Sequence, residues 1–242
     1  MEPNQRQIVE DQRSATVEIL PLTTITPSLA EEVDRAIARK RLSWGLKHIF
    51  DLLFSAIGVI LLCPFGLVIG LCIMLDSPGG VFFRQVRIGR YEKPFRIFKF
   101  RTMVSDGAAK GLPLTADGDQ RITRIGRFLR QAKLDELPQL LNVFLGHMSL
   151  VGPRPEVPRY TAFYTPEQRN IFKIRPGITD WASIRYRNES RLLAGIADPE
   201  WVYIHQIMPE KIALNLQYLL QFSLRNDIHI IMKTAWEVMK YG

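Results

Sequence analysis

The sequence contains few of the residues that build disulfide frameworks or metal centres. Only 2 of its 242 residues are cysteine and 4 are histidine. Cys63 and Cys72 lie inside an apolar stretch without the short spacing of metal ligands, so we interpret them as small hydrophobic side chains in a reducing environment. The histidines are scattered, so no zinc site is predicted. Nothing in the sequence indicates a disulfide scaffold.

Charge is absent from the 24 residues between Leu52 and Leu75. A straight helix of this length would measure about 36 Å, longer than a hydrocarbon core of roughly 30 Å. The stretch therefore predicts a membrane element, with a buried core helix as the alternative. Pro64 divides it into two pieces, each only about 16 to 18 Å long, and proline breaks helices.

Basic residues flank the apolar stretch on both sides. Because Lys and Arg mark the cytoplasmic side of a membrane, both ends are predicted to face the cytosol. We therefore expect a re-entrant helix over residues 47–76 that enters one leaflet, turns at Pro64 and returns. A kinked span is the alternative. The flanking residues are Arg39, Lys40, Arg41 and Lys47 before the stretch, and Arg84, Arg87, Arg90, Lys93, Arg96, Lys99 and Arg101 after it.

The formal net charge of +8 is concentrated in one block. Residues 84–133 hold 13 Lys or Arg against 4 Asp or Glu. Such a block attracts an anionic partner, whether nucleic acid, lipid headgroups or a phosphorylated substrate. The first 34 residues instead carry 7 acidic and 2 basic residues. Residues 1–40 are therefore interpreted as an acidic, flexible extension of unassigned role that is not a signal peptide, with a short helix beginning after Ser28.

An acidic pair, Asp135 and Glu136, opens an amphipathic run with Pro138 in its first turn. The pair is predicted to lie near a helix N-terminus, where peptide dipoles favour negative charge and phosphate alike. Pro153-Arg154-Pro155 follows as a stiff, extended segment that carries one guanidinium. An acidic pair and a fixed arginine suit phosphoryl chemistry. The alternative is that Asp135 only caps the helix while Glu136 is solvated.

Two short strands and a loop are predicted between the apolar stretch and this pair. VFFRQVRIG and KPFRIFKFRTM indicate two strands joined around residues 89–93, with a bulge because residues 95–97 run out of phase with Phe98 and Phe100. Residues 105–120 indicate a mobile loop.

The chain beyond this loop is predicted to be mainly helical. Residues 121–133 indicate a basic amphipathic helix of the kind that lies on anionic membranes, and Asp198-Pro199 begins a helical C-terminal part. The predicted fold class is α+β, mainly helical: a membrane hairpin with a cytosolic catalytic unit that contains a small β-sheet and amphipathic interfacial helices.

The order of these motifs resembles the bacterial sugar transferase family, the monotopic polyprenyl-phosphate phosphoglycosyl transferases. The resemblance starts near Lys47 and continues to the C-terminus. It implies a transferase domain over residues 41–242, with the re-entrant helix at 47–76 and the catalytic unit at 77–242, in the small form without a multi-span N-terminal domain. Its motifs are SPGGVFFRQVRIGR, FRIFKFRTM, LDELPQLLNVFLGHMSLVGPRPE, RPGIT and an acidic position at Asp227 whose role is unassigned.

The resemblance implies a reaction. Such enzymes transfer a sugar 1-phosphate from a UDP-sugar to undecaprenyl phosphate and release UMP, as the first step of exopolysaccharide or surface glycan assembly. It also implies the cytoplasmic face of the bacterial inner membrane, with membrane lipid but no nucleic acid as a partner. Asp135 would be the nucleophile that forms a covalent phosphosugar intermediate, and Glu136 would help hold Mg²⁺.

Four basic residues match the family's motifs and are candidates for binding phosphate: Lys99, Arg101, Arg154 and Arg175. The sequence departs from the family where Asp180 follows GIT, since the family often has glycine there, and again in the following ASIRYRNE. These departures concern the nucleotide-sugar pocket and thus the identity of the sugar. The competing hypotheses are a membrane-anchored basic adaptor that binds anionic lipid or partner proteins, and an inactive scaffold.

Overall fold

The computed structural model describes residues 28–104 and 119–241 of the chain. The predicted flexible extension as far as residue 27, and residues 105–118 of the predicted loop, lie outside these described ranges. Helices predominate in the described part and two small β-sheets accompany them. This agrees with the predicted mainly helical α+β class.

The helices are numbered in chain order. They are α1 (Leu29–Arg39), α2 (Arg41–Asp76), α3 (Arg124–Gln131), α4 (Gln139–Phe144), α5 (Pro158–Thr161), α6 (Trp181–Arg185), α7 (Glu189–Leu193), α8 (Pro199–Val202), α9 (Met208–Gln221) and α10 (Leu224–Tyr241). The strands are β1 (Phe82–Ile88), β2 (Pro94–Phe100), β3 (Ser149–Val151) and β4 (Gly177–Thr179). Short 3₁₀ turns cover Arg90–Glu92, Leu134–Glu136 and Gln168–Lys173.

Helix α1 begins directly after Ser28, which confirms the short helix predicted there. It packs against α9 and buries Leu29 and Val33. Lys173 binds Asp34 at 2.7 Å and holds the exposed side of the helix to the core. Residues 29–39, grouped with the acidic extension in the sequence analysis, therefore form part of the packed unit.

Helix α2 is the apolar segment, and its helical assignment continues through Pro64 without a break. The two separate pieces expected on either side of the proline are therefore not seen. It is the one helix in the described ranges that is long and apolar enough to cross a membrane, judged by length and composition. Large apolar side chains around its midpoint are exposed, among them Ile60 at 73% and Leu67 at 72%. Most of its surface has no protein covering.

Both halves of α2 nevertheless touch the rest of the described chain. In the first half, Asp51 accepts hydrogen bonds from the Ser149 hydroxyl at 2.7 Å and the Leu150 amide at 3.1 Å. In the second half, Ile73 is buried with Phe100 of β2 and Leu129 of α3. The ends of the longest helix therefore contact one and the same folded unit.

Strands β1 and β2 form the predicted antiparallel hairpin, joined by residues 89–93. The pairing runs without interruption from Phe82 opposite Phe100 to Ile88 opposite Pro94, so the predicted bulge is wrong. The sheet is covered on both faces instead: Ile97 packs with Val143, and Phe100 packs with Ile73. Apolar residues of both phases are buried, and the irregular pattern needs no bulge.

The larger hydrophobic core surrounds α9, which buries Ile212, Leu216 and Leu219. Asp198 caps α8 by accepting a hydrogen bond from the Trp201 amide at 2.9 Å, and Pro199 is the first helical residue, as predicted. A π-helical turn over Tyr203–Ile207 leads into α9. These helices support the segment that carries Arg154.

Candidate active site

The acidic pair lies on a short turn enclosed by three elements. Leu134–Glu136 form one 3₁₀ turn, entered through Lys133 in the left-handed conformation with φ of 56°. The α-helix begins only at Gln139 and is six residues long, so the pair precedes the helix that was predicted to start with it. Asp135 is buried. The surrounding charges come from side chains on other elements rather than from this helix.

Glu136 binds two cations from separate parts of the chain. The Lys99 Nζ, on β2, donates to its Oε1 at 2.8 Å. The Arg154 guanidinium donates through Nη1 to Oε2 at 3.0 Å and through Nη2 to Oε1. A forked guanidinium contact of this kind fixes geometry as well as charge. Both oxygens of Glu136 are therefore occupied.

Asp135 differs from its neighbour. No hydrogen bond to its carboxylate is present among the described residues, although it lies in the field of Lys99, Arg130 and Lys133. Burial and the adjacent Glu136 charge raise the pKa of Asp135. Burial also opposes ionisation of Glu136, but Arg154 and Lys99 outweigh it and hold the pKa of Glu136 well below its usual range. The two neighbouring carboxyls thus have opposite shifts.

Arg130 reaches the site from α3 because that helix packs closely against Thr102, which follows β2. A Cβ built on Gly126 would stand 2.2 Å from the Thr102 carbonyl oxygen, so only glycine permits this approach. Thr123 caps α3 by accepting from the Gly126 amide at 2.9 Å. The Arg130 Nε then donates to the Thr102 hydroxyl at 2.8 Å. Burial lowers the pKa of Arg130.

Arg154 is placed by a close crossing of two chain segments. Strands β3 and β4 are parallel, and a Cβ on Gly177 would meet the Gly152 nitrogen at 2.1 Å. Asp180, which is fully buried, accepts from the Arg154 amide at 3.1 Å and from the Ser183 amide at 2.5 Å. Asp180 therefore fixes the segment that carries Arg154 and caps α6 at the same time.

Two of the four predicted phosphate-binding residues lie elsewhere. The Arg101 guanidinium donates to the carbonyl oxygens of Ser77, at 2.7 Å, and Pro78, where the apolar helix ends. Arg175 donates from Nε to the Gly146 carbonyl at 2.9 Å, and burial followed by repulsion from Arg90 lowers its pKa. The structure thus brings together Asp135, Glu136, Lys99 and Arg154, and engages Arg101 and Arg175 with backbone carbonyls at other positions.

Asp227, which had no assigned role, belongs to a second buried network. Its carboxylate accepts from the Lys47 Nζ and the Tyr218 hydroxyl, each at 2.7 Å. Lys47 also lies 3.7 Å from Asp51. This network joins α2 to α9 and α10, so the position matched by the family motif is an anchor for the apolar helix.

Sequence reasoning missed Arg130 and Asp180 as parts of the site. Arg130 was one of several arginines at helical spacing, and Thr102, its partner, follows the FKFR motif directly. Asp180 was visible as a departure from the family pattern, and an aspartate three residues before Ser183 is a capping signal. Neither signal shows which neighbour the side chain meets.

Whether these residues fit Mg²⁺ depends on whether the protein alone or the protein and substrate together supply its ligands. In residues 28–104 and 119–241, no three acidic, histidine or cysteine side chains cluster closely enough to hold a metal ion. Mg²⁺ is, however, commonly bound by one or two carboxylates together with substrate phosphates. Asp135 and Glu136 fit that second arrangement and not a cage made only of protein ligands.

Comparison with known proteins gives a family. The model of the family described as bacterial sugar transferase matches residues 42–241. This match covers α2 and every element of the site described above.

Curated relatives agree with that match. A UDP-glucose:undecaprenyl-phosphate glucose-1-phosphate transferase of Caulobacter vibrioides is 38% identical over 78% of this chain and 68% of its own length. A transferase of the same name from Escherichia coli K12 is 34% identical over 79% of this chain and 40% of its own length. The exopolysaccharide production protein PSS of Rhizobium leguminosarum is 40% identical over 81% of this chain and 96% of its own length. The chain thus spans less than half of the Escherichia coli relative.

Proposed function

The chain belongs to the bacterial sugar transferase family, and from this premise we propose that it transfers a sugar 1-phosphate from a UDP-sugar to undecaprenyl phosphate and releases UMP. The relatives' names describe this reaction for two of them, and exopolysaccharide production for a third. The reaction begins exopolysaccharide or surface glycan assembly. Its substrates carry phosphate, which suits a site ringed by cations.

One observation carries the proposal: Asp135 is a buried carboxylate without a hydrogen-bond partner in the described ranges, next to a Glu136 whose two oxygens both accept hydrogen bonds from cations. A carboxylate oxygen that makes no other bond is available as a nucleophile. An oxygen of Glu136 could attack only in competition with its contacts to Lys99 and Arg154. The geometry therefore favours Asp135 as the attacking group.

The proposed reaction has two displacements at one phosphorus. In the first, an Asp135 oxygen bonds to the sugar-bearing phosphorus while the bond from that phosphorus to the UMP oxygen breaks, so UMP leaves with the electron pair. In the second, an undecaprenyl phosphate oxygen attacks the same phosphorus and the bond to Asp135 breaks. The aspartate is regenerated, and the sugar phosphate ends on the lipid phosphate.

Lys99, Arg154 and Arg130 supply the positive field for this chemistry. Diphosphate charge is spread over several oxygens, and fixed cations in a buried site stabilise it strongly. The guanidinium of Arg154 is held by Glu136 and its backbone by Asp180, so it meets the substrate already oriented. Arg101 and Arg175 are assigned to holding the fold, because backbone carbonyls receive their hydrogen bonds.

We include Mg²⁺ in the proposal, held by Glu136 together with the substrate diphosphate. When bound, the ion would neutralise charge on the diphosphate and on the departing UMP. It would also favour the ionised form of Asp135, whose pKa is raised in the protein alone. The protein's own residues orient the phosphate and supply the nucleophile.

The membrane arrangement is proposed to be monotopic, on the cytoplasmic face of the bacterial inner membrane. Both halves of α2 contact the same folded unit, so its ends lie on one side of the bilayer if that unit does. The exposed midpoint around Pro64 would then enter and leave a single leaflet.

Helix α10 supports the same placement. Its exposed apolar stripe carries basic neighbours, as in helices that lie on anionic lipid. The stripe comprises Ile228, Met232, Trp236 and Met239, and its basic neighbours are Arg225 and Lys240.

The test is release of UMP by the full chain in nanodiscs, with Mg²⁺, undecaprenyl phosphate and a panel of UDP-sugars. We expect UMP with at least one donor, and its loss when a chelator is added. Incubation with the radiolabelled donor alone should attach sugar phosphate to the protein at Asp135. Release of no UMP from any donor would favour the adaptor or scaffold hypothesis instead.

A further inference from the structure

A cavity of about 150 Å³ borders Arg154, the residue that grips Glu136. Its walls come from β1, the segment after Arg154, α5, α7 and α9. Arg154 also interacts electrostatically with Glu189, which lines the cavity. The acidic pair does not line the cavity, but Arg154 borders the cavity and contacts Glu136, so one side chain connects the two.

The walls combine paired charges with aromatic rings. Lys211 binds Glu189 at 2.8 Å and lies 5.2 Å from the centre of the Tyr203 ring. Arg87 donates to the Pro155 carbonyl at 3.1 Å and lies 3.5 Å from Glu156. Such a lining offers hydrogen-bond donors, acceptors and ring faces together, which suits a ligand rich in hydroxyl groups.

Asn215 adds a group that the protein leaves unpaired. It lies on α9, lines the cavity and is buried, and its Oδ1 has no hydrogen-bond partner among the described residues. A buried acceptor without a partner is costly, so a ligand hydroxyl or amide that donates to it would relieve that cost.

Size and reaction order distinguish the parts of the donor. The cavity is large enough to admit a sugar ring. In the proposed reaction UMP must leave before the lipid acceptor reacts, whereas the sugar phosphate stays on the protein. A cavity lined by Arg154 suits the part that stays.

From these observations we infer that this cavity receives the sugar ring of the donor, with Asn215, Lys211 and Glu189 selecting among sugars by their hydroxyl or acetamido groups. The inference rests on the proposed function and names its specificity-determining residues. A site built to bind a particular hydroxyl discriminates strongly against a donor that presents it differently.

The experiment compares donors that differ at one ring position, UDP-glucose with UDP-galactose and each with its N-acetylamino counterpart. The variants are Asn215→Leu and the more conservative Glu189→Gln. The control is Gln217→Leu, on the same helix but outside the cavity lining. The readouts are kcat/KM for each donor, inhibition by UMP and thermal unfolding.

We expect Asn215→Leu to lower kcat/KM for the preferred donor about 10- to 100-fold and to change the ratio between donors by about fivefold or more. Glu189→Gln should change the same ratio to a smaller extent. Inhibition by UMP should stay within about twofold of wild type in both variants, since uridine lies outside the cavity. Gln217→Leu should behave as wild type.

An unchanged donor ratio in both folded variants overturns the inference while leaving the proposed function intact. If inhibition by UMP weakens in parallel with kcat/KM for the donor, the inference is also overturned. That result would mean that the cavity binds uridine or that its residues have a purely structural role. A wild-type protein that turns over no UDP-sugar overturns the proposed function, and this inference with it.

Discussion

Two buried networks of lysine and carboxylate occupy different parts of this protein and differ in one respect. Around Asp227, both carboxylate oxygens are bonded, one to Lys47 and the other to the Tyr218 hydroxyl. Around Asp135, the bonding is uneven, because Glu136 takes the cations while Asp135 has no hydrogen bond among the described residues. The saturated network holds helices together, and the uneven one leaves Asp135 available for the proposed reaction.

The comparison shows why burial alone does not identify a catalytic carboxylate. Asp51, Asp135, Asp180 and Asp227 are all buried. Asp51 and Asp180 are engaged by backbone amides, and Asp227 by side chains. Asp135 is distinguished by the absence of such bonds in the described ranges, so the following predictions test whether function follows that distinction.

The largest effect is expected for Asp135→Asn. The amide is not nucleophilic toward phosphorus, so UMP release should fall at least about 10³-fold. The melting temperature should change little, because the wild-type carboxylate makes no hydrogen bond in the described chain. UMP release assays and thermal unfolding in the same detergent measure both. Retention of more than a tenth of the activity would contradict the assignment.

The opposite pattern is expected for Lys47→Met, at the saturated network. Removing the cation leaves Asp227 and Asp51 buried without it, and breaking such a pair typically costs about 3 to 5 kcal/mol. For a chain of this size, 3 kcal/mol corresponds to a fall in melting temperature of roughly 6 to 12 °C. At temperatures where the variant remains folded, its kcat/KM should stay near the wild-type value. A loss of activity without a loss of stability would give this network a chemical role.

Arg154 and Arg101 separate the two behaviours among arginines. Arg154→Gln should lower kcat/KM about 10²-fold, because it removes a preoriented cation from the site. Arg101→Gln should mainly lower the melting temperature, because its guanidinium satisfies carbonyls at the end of α2. The two variants compared side by side, by kinetics and thermal unfolding, provide each other's control. Equal kinetic losses would return Arg101 to the substrate site.

The smallest effect is a shift in pH dependence. The pKa of Asp135 is raised, first by burial and then by the charge of Glu136. Since the nucleophile must be ionised, activity should rise with pH through the pKa of Asp135. Glu136→Gln removes the neighbouring negative charge, so the rising limb should move to lower pH while the maximum rate falls. Profiles of kcat/KM between pH 4 and about 8 measure this shift. A rising limb that stays in place or moves to higher pH would show that it does not report the ionisation of Asp135.

Local patterns predicted much of the fold. The predicted junction at residues 89–93 marks the β1–β2 hairpin, and Asp198-Pro199 marks the start of α8. Features that depend on distant contacts were beyond reach. Strands β3 and β4 are three residues each, too short to show alternation, and their pairing depends on the crossing of Gly152 and Gly177.

The candidate site shows the same division. The acidic pair and Arg154 were named as candidates because they lie in one short stretch, and Lys99 was named through the resemblance. Arg101 was named as a candidate for binding phosphate because it matches a basic position of the family's motifs, and a guanidinium has the same appearance in sequence whether it meets phosphate or carbonyl oxygens. Only the fold shows that Arg101 meets the end of α2, 24 residues earlier in the chain at Ser77.

The proline inside α2 has a mechanical consequence. Pro64 has no amide hydrogen, so the carbonyl of Ile60, one turn earlier, lacks the helical donor that its neighbours have. Bending the helix at this position breaks no backbone hydrogen bond, whereas bending it elsewhere would break one, which is especially costly if the helix lies in hydrocarbon as proposed. In the proposed membrane arrangement, α2 could therefore bend at its exposed midpoint while both of its halves keep their contacts with the catalytic unit.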